Sequence, residues 1–269
     1  MNVEKLLKER KSVRDFKKGA VDISTLDAVE KVIDAVNKET PDSVMYRLFT
    51  NGDLVADRLD SLGGYSGVMI KAPHYVVLGM MDREISTIVH GAFYLEKIVT
   101  QISDMGLGSC WVSTGSVPQE VKDELFGSDL GEVNFILAFG QAKGKSIFEE
   151  EVFSERKPVS EVVFLDSWGN GADNFILENR GMDKLFNYVR YAPSKNNAQP
   201  WRYLVKDDSI SIYIENAKKD PMRLIDAGIA MYYFRLLAVR LIGPQEWVMV
   251  DENTADVQGD FIELAEFSL

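Results

Sequence analysis

The sequence predicts an α+β fold made of two related halves in one chain. Three observations lead there. The order helix, loop, strand, long helix ending in Gly, strand runs through the chain twice. The two long helical patterns, Asp82 to Gly106 and Asp220 to Gly243, correspond, and glycine is a natural stop for each. Between the two runs lies Asp166 to Asn174, whose Gly and Asn content reads as a linker. The expected halves are 1–165 and a shorter 175–269. The competing explanation is chance recurrence of common α and β elements.

The elements follow in order. Residues 1–10 read as a short helix with Val3, Leu6 and Leu7 on one face. Ser24-Thr25-Leu26-Asp27 resembles a capping box and opens a helix with Leu26, Val29, Val32, Ile33 and Val36 at helical spacing. Ala72 to Gly79 is a buried strand. The long helix that follows turns Ile85, Ile88, Val89, Ala92, Leu95, Val99 and Ile102 inward, and Val133 to Gly140 is a second apolar strand. After the linker come a helix over Met182–Tyr191 and strands over Trp201–Val205 and Ile210–Ile214, with a turn at Asp207-Asp208. Asp220-Pro221 starts the second long helix, which carries Ile225, Ile229, Tyr232, Leu236 and Val239. Trp247 to Val250 is a last strand. The helix-to-strand segments also correspond, Thr40-Pro41 leading to Tyr46 and Ala192-Pro193 leading to Trp201.

Bulk properties narrow the function. Hydrophobic residues make up 46% of 269 positions, enough for packed cores. A formal net charge of −12 disfavours nucleic acid and anionic membrane as partners, so any phosphate-bearing ligand needs a local basic cradle. One cysteine, Cys110, excludes an intrachain disulfide and suits a reducing cytoplasm. Beside Trp111 in an apolar segment, it reads as core and not as a redox thiol. No stretch reads as a signal peptide or a membrane span. His74, His90 and Cys110 lack ligand spacing, so no metal is expected.

Three segments carry candidate chemistry. Arg10-Lys11-Ser12-Val13-Arg14 sets three cations and a hydroxyl at a helix end, suited to phosphate. Alone, it reads more readily as a solvated charged turn. Pro193-Ser194-Lys195-Asn196-Asn197-Ala198-Gln199-Pro200-Trp201 presents amides, a hydroxyl and a lysine between prolines; alone, it is also a polar turn beside a buried Trp. Gly106 to Gly115, Gly-Leu-Gly-Ser-Cys-Trp-Val-Ser-Thr-Gly, lets backbone approach a flat ligand, or is merely a helix cap leading into a strand. It follows a helix and lacks the dinucleotide glycine spacing.

Together these segments resemble the nitroreductase family. Arg10 to Phe16 is similar to its Arg-Arg-Ser-x-Arg-x-Phe. Pro193 to Trp201 is similar to its Pro-Ser-Ser-x-Asn-x-Gln-Pro-Trp, with Lys195 in place of the second Ser. Residues 106–115 resemble its Gly-Leu-Gly-Ser segment, and Gly140 with Arg156-Lys157-Pro158 resembles its strand end and basic stretch, although Gln141 replaces an aromatic. The resemblance implies an antiparallel-dominated sheet flanked by helices. It also implies FMN, which in that family lies at a homodimer interface. By the same resemblance Arg10, Ser12 and Arg156 serve the phosphate and ribityl chain, with Lys11 a weaker candidate. Arg14 lies near flavin N1 and O2. The backbone N–H groups of Ser113, Thr114 and Gly115 lie near N5. Pro193, Ser194, Asn197 and Gln199 reach in from the opposite half.

Here the Arg motif sits in the first half and the Pro-Ser loop in the second. The corresponding segments, Pro41 to Tyr46 and Glu178 to Gly181, lack the motif residues. The expectation is a fused pseudo-dimer, functional as a monomer, with one flavin site. The implied activity is ping-pong hydride transfer from NADH or NADPH to a nitroaromatic, quinone or similar small acceptor, selected by loops such as Asn51 to Gly67. No side-chain acid or nucleophile is required of such a site. A non-catalytic FMN sensor or carrier is the alternative.

Overall fold

The structure, a computed structural model, describes residues 3–65, 67–144, 155–217 and 219–269. Contacts group the chain into two compact units, one within Lys11–Glu151 and one formed by Met1–Arg10 together with Val152–Leu269. The boundaries 1–165 and 175–269 therefore describe a duplication inferred from sequence, and not these packing units. The first element, helix α1 (Val3–Glu9), belongs to the second unit and buries Val3 and Leu7.

The Lys11–Glu151 unit contains α2 (Ile23–Asn37), β1 (Val44–Phe49), α3 (Gly52–Leu59), β2 (His74–Met80), α4 (Ile85–Asp104), β3 (Gly108–Ser113), α5 (Gln119–Phe126) and β4 (Glu132–Gly140). Its sheet runs β1-β2-β4-β3, antiparallel at every pairing. β2 is buried at all seven positions, which is why it reads as an unbroken apolar run. One face of the sheet carries α2 and α4. On the other, Tyr75, Val77, Ile136 and Ala138 pack with Val55 and Leu59 of α3 and Phe126 of α5. α4 ends as its sequence predicts: Gly106 takes φ +79°, and Leu107 N–H bonds Ile102 O at 3.2 Å. The cap of α2 is a correction. Asp22, and not Ser24, is the N-cap, accepting from Thr25 N–H at 3.0 Å and from both neighbouring hydroxyls. A full carboxylate charge at a helix N-terminus is the stronger acceptor, and these bonds hold its pKa at about 2.

The second unit continues with α6 (Val159–Val162), β5 (Val163–Leu165), α7 (Asn174–Asn179), α8 (Asp183–Val189), β6 (Trp201–Val205), β7 (Ser209–Glu215), α9 (Met222–Leu241), β8 (Trp247–Met249), β9 (Val257–Gln258) and β10 (Phe261–Ser268). Its sheet runs β5-β6-β7-β10-β8, with β9 also on β10; only the β5–β6 pairing is parallel. α1 packs on α8, and α8 on α9. α9 is buried on nearly every side through its first four turns. Its Phe234 lies 5.5 Å from Tyr203, 4.7 Å from Trp247 and 5.1 Å from Phe267, ring centre to ring centre, an aromatic core of the kind that dominates burial energy. Residues 166–174 are not a free linker. They turn tightly after β5, where Trp168 packs on Phe164, Tyr213 and Phe261, and Asp173 caps α7. Among the described residues no helix is long and apolar enough to cross a membrane.

Candidate functional site

In the Lys11–Glu151 unit the Arg motif from Lys11 onward is an extended segment tied to the glycine-rich strand. Val13 N–H donates to Ser109 O at 2.9 Å, and Phe16 bridges Ala142 at the end of β4. Gly108 makes this approach possible: a Cβ there would stand 2.6 Å from Val13 Cγ2. The motif and the Gly-rich segment are thus one packed assembly, which neither shows alone. Along the segment Phe16 is buried in the core, Ser12 is half-buried, and Arg14 and Lys11 are exposed. The Arg14 guanidinium lies 5.7 Å from the centre of the Tyr65 ring. Burial, and secondarily Cys110, raise the Tyr65 pKa, whereas Arg14 opposes the rise. Tyr65 also donates a long hydrogen bond of 3.4 Å to Trp111 O. It falls in the loop expected to select substrate but was not itself a candidate.

At the end of β3 the three backbone candidates diverge. Thr114 N–H donates to Asn134 O at 2.9 Å, and its hydroxyl to Val133 O at 2.7 Å, so this fully buried residue has no donor left for a ligand. That differs from the expectation. Ser113 O accepts from Gly64 N–H at 2.8 Å, which ties the Tyr65 loop to the strand end. Gly115 is exposed, a Cβ added to it would make only ordinary contacts, 3.9 Å from Asn134 Oδ1 and from Ser113 Oγ, and its N–H has no acceptor among the described residues.

In the other unit the Pro193–Trp201 loop is wound by three non-glycine residues in the left-handed region: Asn196 (φ 52°), Asn197 (φ 56°) and Gln199 (φ 48°). Such strain persists only where surrounding bonds over-determine it. Ser194 Oγ accepts from Gln199 N–H at 3.0 Å, and Asn197 N–H donates to Ser194 O at 3.0 Å. Gln199 is 1% exposed; its amide donates to Arg190 O at 3.1 Å and accepts from Lys157 N–H at 2.8 Å. Expected to reach a ligand, it is instead a brace between the loop and the basic segment, with both ends of its amide engaged. Asp226 of α9 accepts from Lys195 N–H at 2.9 Å. Burial pushes this carboxyl up to about 7, against the opposing pull of the Lys195 N–H and Arg223. Asp226 and Arg190 were missed because each sits in a helical pattern that reads as ordinary packing.

Asn197 donates through Nδ2 to Glu155 O, while its Oδ1 is buried with no hydrogen-bond partner. Reversing the amide would set two carbonyl oxygens face to face, so the acceptor is the orphan. Nearby, the Arg156 and Arg190 guanidiniums lie 5.8 and 5.0 Å from the Tyr191 ring centre. Burial lowers the Arg156 pKa, Tyr191 opposes this, and Arg10 and Arg190 add like-charge repulsion. In a chain of net charge −12 this is a local concentration of cations. By contrast Arg180, at the corresponding poor motif, is held by Asp166 at 3.1 Å and Asp207 at 3.7 Å. Among the described residues no cluster of His, Cys, Asp and Glu is arranged to hold a metal.

Comparison with known proteins gives the family. Residues 2–238 match the family described as "Putative TM nitroreductase", and the chain belongs to it. A "putative nitroreductase" of Thermotoga maritima MSB8 superposes with a TM-score of 0.61 at 20% identity, covering 99% of this chain and 93% of that one, which shows a shared nitroreductase fold. A nitroreductase of Bacteroides fragilis with bound FMN covers 57% of this chain and 95% of its own at 17% identity and a TM-score of 0.44. A protein of Bacteroides thetaiotaomicron described as a "Putative NADH dehydrogenase/NAD(P)H nitroreductase" covers 57% and 94% at 16% identity and 0.41. A comparison with curated proteins found no match.

Proposed function

We propose that this chain is an FMN-dependent oxidoreductase that takes electrons from NADH or NADPH and passes them to a nitroaromatic, quinone or similar small acceptor. The observation that carries the reading is the buried, unpartnered Oδ1 of Asn197 in a strained loop. A buried acceptor left open costs about 1–3 kcal/mol, a cost that a ligand N–H removes. FMN fits the rest of the donor set. Its phosphate suits the repelling cations Arg10, Arg156 and Arg190, with Ser12, Lys11 and Ser194 as further polar groups. Its ring offers an N–H to Asn197 and acceptors to the open Gly115 N–H. Pro193 and Gln199 shape the loop, and Ser113 and Thr114 shape the strand end.

Bound FMN would supply reversible two-electron hydride chemistry, which no side chain here provides. The chain's part is to bind, orient and tune. Arg14, always charged and held by the Val13–Ser109 bond, supplies a fixed cation that stabilises negative charge. We propose that the Arg motif and the Pro-Ser loop serve the same flavin, that halves 1–165 and 175–269 arose by duplication, and that the chain works in the cytoplasm as a monomer. Anaerobic addition of NADH or NADPH to the yellow protein tests the activity: the flavin bands should bleach and return with menadione or nitrofurazone. Colour without bleaching makes the protein a carrier or sensor, and colourless protein that takes up no FMN overturns the reading.

A further inference from the structure

We propose a second ligand site in the Lys11–Glu151 unit: a lysine-rimmed groove that takes a phosphorylated small molecule with an apolar body, of the nucleotide kind. The groove has a volume of about 860 Å³, within the roughly 300–1,000 Å³ range of small-molecule sites. None of the flavin candidates lines it. Phe16, Ala72 and Pro73 contribute its apolar wall, and Lys17, Lys18, Lys71 and Lys143 its charge. Four lysines face two aspartates, Asp15 and Asp53, a formal +2 on a chain of net −12.

The charge is unbalanced where acids are plentiful. Among the described residues Lys17, Lys18 and Lys143 have no carboxylate within ion-pair distance, and Lys71 reaches only Asp57, at 3.9 Å with both side chains well exposed. Such an exposed contact neutralises little. Like charges gathered on one concave wall focus field toward an anion.

The walls are built, not incidental. Lys17 N–H donates to Gln141 O and Lys143 N–H to Asp15 O, each at 2.9 Å, which fixes the backbones of both lysines beside the Phe16–Ala142 bridge. Gly52 N–H donates to Pro73 O at 2.9 Å, and a Cβ on Gly52 would stand 2.0 Å from Ala72 O, so this wall closes only with glycine. Underneath, the fully buried His74 joins both sides. Its Nε2 accepts from Val21 N–H at 3.0 Å, which makes Nδ1 the donor to Thr50 O at 2.9 Å.

Titration calorimetry of the FMN-loaded full chain at low salt tests the site, with ATP, inorganic tripolyphosphate and adenosine as probes. ATP should bind saturably, tripolyphosphate more weakly, and adenosine weakest. Lys17→Gln combined with Lys143→Gln should weaken ATP roughly tenfold, with flavin content and melting temperature unchanged. Arg14→Ala should leave ATP binding as it is. The proposal is overturned by any of four results: no saturable ATP binding, ATP binding that survives the lysine changes, tripolyphosphate binding as tightly as ATP, or loss of ATP binding in Arg14→Ala. Binding to phosphatidylglycerol vesicles without ATP binding makes the groove a membrane contact and equally overturns it.

Discussion

Asn197 and Arg14 would fail in different ways. Removing Arg14 takes away a charge-assisted contact, so Arg14→Ala should weaken FMN roughly ten- to hundredfold and lower the reduction potential. Asn197→Ala removes a neutral contact worth about 0.5–1.5 kcal/mol and should leave the potential where it is. Arg180→Ala and Asp42→Ala should leave FMN affinity unchanged. FMN titration of refolded apo variants, with spectroelectrochemistry, separates these outcomes; wild-type affinity in both stable site variants would remove the shared-site reading. Asp226 gives a pH signature. Its folded pKa of about 7 lies above the ordinary value of 3.8, so the native state holds its proton more tightly. That contribution is full below pH 4 and is lost as pH rises toward 7. Asp226→Asn should therefore stabilise the protein progressively over that span, by on the order of 4 kcal/mol at pH 8, in denaturant melts across pH. The Arg and Pro-Ser motifs were legible because short spacings of unusual side chains survive in sequence. Asp226, Arg190 and Tyr65 were not, because they act across space on partners 31, 33 and 46 positions away.

Between elements, the joint at Gly108 is the sharpest test. Gly108→Ala should cost about 1–3 kcal/mol and loosen the Arg motif, and Val13→Ala should recover much of that loss, a coupling that double-mutant melts would measure. If the two changes simply add, the packing described here is wrong. His74 makes a comparable joint. It is neutral, and burial lowers its pKa from the ordinary 6.5. The unfolded chain thus binds the proton first, and stability from this residue, complete above pH 6.5, falls as pH drops toward the folded pKa. Heteronuclear NMR titration should find the His74 ring taking up its proton below the ordinary 6.5. Long elements were readable, α4 from its periodicity and β2, β4 and α9 from their apolar content. β10 was not. A bulge between Glu263 and Ala265 places Leu264 and Ala265 side by side in the core, which breaks the alternation that marks a strand. The linker reading of 166–174 failed because Gly and Asn also build tight turns, and Trp168 anchors this one.

For the whole molecule, the single pair of intact motifs predicts one FMN per chain. Flavin released from pure protein should approach a ratio of one, and light scattering should show the yellow species as a monomer. A ratio near two, or flavin confined to a dimer, would sink the fused one-site scheme.

One feature of the fold bears on how the protein is made. α1 leaves the ribosome well ahead of its packing partner α8, which begins at Asp183, some 170 residues later. At ordinary synthesis rates of about 5–20 residues per second, that is a wait of roughly 10–35 s. An isolated seven-residue helix has no stability of its own. The nascent chain therefore completes the Lys11–Glu151 unit while the α1 segment waits unfolded, and the helix docks only after translation has supplied its seat. A circular permutant that moves this segment to follow Leu269 would remove the delay.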